Sequence, residues 1–156
     1  MENLENNKKI VLTPPIYLAS ADMECWKCGS KMKVVAIIAT GSIETLGNVI
    51  TLNNIESLPD NILEYIQKYY PTFKLIHSKT MDMKYYANTC PACGVVAGDF
   101  FVHFEPDSPL FPISEEEAAC IDVEEIPFSQ EFKITSGYSM GIEDIILEKG
   151  NRISRK

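Results

Sequence analysis

Basic residues are scarce in this chain. Lys and Arg number 14 against 22 Asp and Glu, leaving a formal net charge of −8. A dedicated polyanion binder is therefore not expected. Long apolar runs are missing too. The longest, Val34 to Ala39, is far short of the roughly 20 residues that a membrane-spanning helix needs. The opening residues, MENLENNKK, are polar, and no apolar stretch of signal-peptide type follows them. The expected location is cytoplasmic, with no membrane contact. Histidine is limited to His77 and His103, and tryptophan to Trp26. No Ser/His/Asp order, P-loop or dinucleotide glycine pattern is present, so the chain is not expected to be an enzyme. The best catalytic pair on offer, Asp99 with His103, lacks a nucleophile and a cofactor.

What is present suits one ordinary globular domain. Of the 156 residues, 46% are hydrophobic and 23% charged. The charge is uneven: Asp99 to Glu131 holds ten acidic residues and no Lys or Arg. Such a block is most simply a solvated face. The organisation expected is a disordered lead-in over 1–9, one zinc-stabilised domain over 10–150, and a basic tail over 151–156.

Short extended segments are expected at Ile10–Leu12 and Ile16–Ala19, separated by Pro14-Pro15. Val34–Thr40 is β-branched and continuous, the pattern of a strand buried on both faces. Pro59-Asp60 opens a helix with Asp60 as N-cap, Ile62, Leu63, Ile66, Tyr69 and Tyr70 on one face, and Pro71 as its stop. Phe73–Ser78 and Met83–Ala87 read as strands. Val95–Phe104 fits both periods and is assigned to helix. Ser114 with Glu117 forms a capping box for a short helix. Ile121–Ile126 and Phe132–Thr135 read as extended. Residues 141–149 read as a last helix, ended by Gly150.

Five cysteines carry the chemistry. Four form two C-x-x-C-G units, Cys25-Trp-Lys-Cys28-Gly29 and Cys90-Pro-Ala-Cys93-Gly94. Two residues between thiols let both sulfurs of a turn reach one tetrahedral ion. The glycine permits the left-handed turn that aims backbone amides at the sulfurs. Two such units complete a four-thiolate shell suited to one structural Zn²⁺. An iron–sulfur cluster uses the same shell, and disulfides or a redox pair are further alternatives. The units are 61 residues apart, so about 41–83 becomes an insertion between them. Lys27, Lys31 and Lys33 lie where they offset the charge of the thiolates. Cys120, between Ala119 and Ile121, reads as a small buried apolar residue. Trp26 at the tip of a metal turn is either packed or an exposed interface anchor.

The run Tyr86-Ala-Asn88-Thr-Cys-Pro-Ala-Cys-Gly94, then Gly98-Asp99-Phe-Phe-Val-His103 and Glu105-Pro106, with the upstream C-W-K/R-C-G unit, resembles uncharacterised bacterial zinc-ribbon-like proteins. The resemblance covers roughly 16–40 and 84–112. It implies a structural zinc on Cys25, Cys28, Cys90 and Cys93, and places Asp99 and His103 in the fold's pattern without a role. The expected fold is α+β: a small mixed sheet with zinc-ribbon or treble-clef-like Cys₄ knuckles and a few short helices. The expected function is a zinc-stabilised protein-interaction module with an unknown protein partner. A nucleic-acid-binding zinc ribbon is the alternative, using Lys27, Lys31, Lys33, Lys68, Lys74, Lys79 and Lys84 with nearby tyrosines.

Overall fold

The computed structural model describes residues 8–42, 49–78, 82–97, 109–139 and 143–154. In chain order the elements are β1 (Lys8–Glu24), β2 (Lys31–Ser42), β3 (Ile50–Ser57), α1 (Asp60–Tyr69), β4 (Phe73–Ser78), β5 (Met83–Thr89), β6 (Val96–Ala97), α2 (Glu115–Ala118), β7 (Asp122–Glu125), β8 (Phe132–Ser139), α3 (Glu143–Lys149) and β9 (Asn151–Arg152). Among the described residues, no helix is long and apolar enough to cross a membrane.

The α+β expectation is overturned. The described residues are mostly β, with 53% strand and 16% helix, and four of the strands close into a barrel. β1 pairs with β2, β2 with β3, β3 with β8, and β8 returns to β1, all antiparallel. The expectation failed because closure is non-local. Alternation identifies a strand but not its neighbour, and β8 lies far along the chain from both of its partners.

β1 also runs farther than expected, straight through Pro14-Pro15. Its first half pairs with β8 up to Leu12, and its second half pairs with β7 from Tyr17. The prolines sit in the gap where the strand changes partner and no ladder amide is needed there. The register against β2 shifts at the same place, between Thr13 and Ile16. β1 includes Lys8 and Lys9, and β9 includes Asn151 and Arg152, so both chain ends contribute strands.

β2 is buried on both faces, as its continuous apolar run predicts. Val35, Ile37 and Ala39 face the barrel core with Ile10, Leu12, Ile50, Leu52 and Ile134. Met32, Val34, Ala36 and Ile38 face a second core with Ile121, Val123, Ile146, Cys25 and Cys90. Two of the four metal-ligand candidates, Cys25 and Cys90, are thus part of a hydrophobic layer.

α1 forms where expected and buries Ile62 and Ile66, but its N-cap is Pro59 and no side chain caps it. Its polar contacts fasten it to β1 and β7. The Tyr65 hydroxyl donates to Glu124 Oε2 at 2.7 Å, and the Tyr70 hydroxyl donates to Ser20 Oγ at 2.9 Å. Glu124 is 2% exposed, so the Tyr65 hydroxyl solvates a buried carboxyl group, with the Tyr70 hydroxyl 3.4 Å from its Oε1. The capping box at α2 is present: Ser114 Oγ accepts from the Glu117 amide, while Glu117 Oε1 reaches back to the Ile113 amide.

Two other expectations change. Val96–Ala97 is strand, not helix, because it pairs with Asn88 and Thr89 of β5. The rest of the expected helix, with Asp99 and His103, lies outside the described residues. Cys120 is exposed rather than buried, with its sulfur 3.6 Å from the Glu116 carbonyl one turn back.

Candidate metal centre

Each C-x-x-C-G unit is the tip of an antiparallel hairpin. The first joins β1 to β2 just past the pair Glu24–Lys31, and the second joins β5 to β6 just past Thr89–Val96. The two tips are built alike. In the first, the Cys25 amide donates to Ser30 O at 2.8 Å and the Gly29 amide to Cys25 O at 2.9 Å. In the second, the Cys90 amide donates to Val95 O at 2.9 Å and the Gly94 amide to Cys90 O at 2.9 Å. The Lys27 and Ala92 amides each point at the first sulfur of their turn, at 3.4 Å. Gly29 and Gly94 take φ of +75° and +79°. An added Cβ at either would meet nothing within 4 Å, so the need for glycine is one of backbone angle alone.

The hairpins converge, although 61 residues separate their cysteines. Cys25 Sγ lies 3.6 Å from Cys93 Sγ, and Cys28 Sγ lies 3.7 Å from Cys90 Sγ. All four sulfurs are within 4.8 Å of one another. The spacing is too wide for disulfides, whose sulfurs are ~2.05 Å apart. It is close to the edge of a tetrahedron, ~3.8 Å for sulfurs ~2.3 Å from a central ion. The four cysteines can therefore hold a metal ion. Cys25 and Cys90 are buried, whereas Cys28 and Cys93 are exposed.

The thiols do not ionise alike. The Cys28 amide, foremost, lowers Cys25, and the Ser30 hydroxyl and amide pull Cys28 down to about 6. At Cys93 the Val95 amide pulls the thiol down. Desolvation and the three neighbouring sulfurs outweigh that pull and push it up to about 11. Thiolates formed first thus hold the last proton in place, and a cation at the centre relieves that repulsion.

Asn88 fixes the second hairpin against the barrel. It is 2% exposed, and its carboxamide bonds β2 as a neighbouring strand would. The Val35 amide donates to Asn88 Oδ1 at 2.9 Å, and Asn88 Nδ2 donates to Val35 O at 3.1 Å. This satisfies the edge of β2 where β3 no longer reaches. One residue on, the Thr89 amide and hydroxyl both donate to Thr72 O, at 3.0 and 2.6 Å. Sequence reasoning found Asn88 only as a letter of the resembled motif. An amide side chain two residues before C-x-x-C, near the end of a strand that leads into the turn, was the available signal.

Trp26 satisfies neither of its two expected descriptions fully. It is 62% exposed, yet its indole Nε1 donates to Val96 O of the opposite hairpin at 2.9 Å. Lys31 and Lys33 do not turn to the sulfurs. Both pair with Asp22, each at 3.5 Å. Comparison with protein-family models, with curated proteins and with solved structures finds no match. The centre must be read from its own geometry.

Proposed function

We propose that Cys25, Cys28, Cys90 and Cys93 hold one structural zinc ion, and that the chain is a zinc-stabilised protein-interaction module rather than an enzyme. The observation that carries this reading is the convergence of four sulfurs from two matching hairpin tips at tetrahedral spacing. Four thiolates suit Zn²⁺, and a closed four-sulfur shell has no open position for water or substrate. The ion's task is then mechanical: it clips the β1–β2 hairpin to the β5–β6 hairpin. Trp26 supplies the interaction half of the reading. It is a large aromatic, held in orientation by its bond to Val96 and still mostly exposed. Residues of this type anchor protein interfaces.

The nucleic-acid alternative is weaker. Asp22 offsets Lys31 and Lys33, and Lys68 lies over the Tyr69 ring of its own helix, 5.4 Å from its centroid. Elemental analysis of the chain isolated under reducing conditions tests the metal. One zinc per chain is expected, with loss of ordered structure at both hairpins when a chelator removes it. A stably folded chain without zinc, its four thiols freely titratable, would refute the reading.

A further inference from the structure

The sulfurs divide in a way that a purely structural clip does not require. Each contact described above joins an exposed cysteine of one hairpin to a buried cysteine of the other: Cys28 to Cys90 at 3.7 Å, and Cys93 to Cys25 at 3.6 Å. An exposed thiolate meets an oxidant from solvent, and a second thiolate beside it resolves the product. Building on the zinc reading, we infer that the centre is a peroxide-sensitive switch in which cross-hairpin disulfides replace the metal.

The chemistry balances with hydrogen peroxide as the oxidant. The Cys28 thiolate attacks a peroxide oxygen, the O–O bond breaks, and hydroxide leaves. The sulfur gives up two electrons and becomes a sulfenic acid. The Cys90 thiolate then attacks that sulfur, the S–S bond forms, and the S–O bond breaks with loss of a second hydroxide. One peroxide is reduced for each disulfide. A second peroxide does the same at Cys93, with Cys25 resolving. The ion has then lost its thiolates and departs.

The proposed cross-hairpin pairing sets the outcome apart from ordinary oxidative damage. Both disulfides run between hairpins, so the β1–β2 tip stays joined to the β5–β6 tip after the zinc has left. Oxidation thus exchanges an ionic clip for a covalent one and retains the barrel. The surface around Trp26 is what changes, because its indole spans the two tips.

The test uses the zinc-loaded full chain with Cys120→Ser, which removes the exposed fifth thiol and its intermolecular cross-links. Zinc content is first confirmed by elemental analysis. Hydrogen peroxide is then added beside a chromogenic zinc chelator, and the products are mapped by non-reducing peptide mass spectrometry. The expected result is stoichiometric zinc release, Cys28–Cys90 and Cys25–Cys93 linkages, retained far-ultraviolet circular dichroism, and recovery with dithiothreitol plus zinc. Zinc retained under excess peroxide would overturn the switch and leave the metal reading intact. So would release accompanied by Cys25–Cys28 linkage, sulfinic acids or unfolding. A folded chain isolated without zinc would overturn the metal reading, and the switch with it.

Discussion

Replacing Asn88 with Leu tests how the second cysteine hairpin is held. Leu is close to Asn in size, so no cavity opens, but it offers neither donor nor acceptor. The Val35 amide and carbonyl both lose their partner, at a place where Val35 is 3% exposed. Each buried polar group left without a partner costs ~1–3 kcal/mol, so the pair costs about 2–6 kcal/mol. That is a large share of the ~5–15 kcal/mol that keeps a domain folded. The middle of the range, ~4 kcal/mol, lowers the melting temperature by roughly 8–16 °C in a chain of this size. Thermal and urea unfolding of the zinc-loaded protein measure the loss. Amide hydrogen exchange localises it, and the Val35 amide should lose protection first. Zinc should also leave faster to a competing chelator, because Asn88 is two residues from Cys90. A loss below ~1 kcal/mol with Val35 still protected would refute the argument.

Gly29→Ala and Gly94→Ala should each cost ~1–2 kcal/mol by denaturant titration, since each forces an L side chain into the left-handed region without any clash. Asn at either position should recover part of that loss. Tyr65→Phe should cost ~1.5–3 kcal/mol in the same assay, as it removes a bond to the buried Glu124 carboxylate. Tyr70→Phe should cost ~0.5–1.5 kcal/mol, as for a neutral bond, and leave Ser20 Oγ without that donor. Trp26 should fluoresce as a largely solvated indole and be quenched readily by iodide. Trp26→Phe should change stability by no more than about 1.5 kcal/mol, the worth of its single bond to Val96.

The four-cysteine cluster was legible because its information is local. C-x-x-C-G fixes a turn within five residues, and duplication of the turn supplies the second half of the shell. β2 was legible for a related reason: an unbroken β-branched run has no polar face to leave in water, and both its faces are indeed covered. α1 and the Ser114 capping box were written in spacing and cap chemistry. The barrel was not, because Phe132–Ser139 carries nothing that names β1 and β3 as its neighbours. Pro14-Pro15 suggested a break where β1 only exchanges β8 for β7. Cys120 was misjudged from its apolar neighbour Ile121, which is 1% exposed, while Cys120 itself lies in the turn after α2 and faces solvent. Lys31 and Lys33 were assigned to the sulfurs by proximity in the chain. Asp22 took them because it lies across the hairpin, paired with Lys33 in the β1–β2 ladder.

The separation of the two hairpins along the chain also bears on how the protein is made. Synthesis completes the Cys25–Cys28 turn 65 residues before Cys93 is added. At ~5–20 residues per second, that interval is roughly 3–13 s. Once the turn has left the ribosome, the nascent chain carries only half of the four-cysteine set, with Trp26 between its two cysteines. The strands that will bury Cys25 are still incomplete. On the proposed zinc reading, capture of the ion is a late event in biosynthesis, and a cell short of free zinc or rich in oxidant would meet this protein first as a pair of bare thiols on the ribosome.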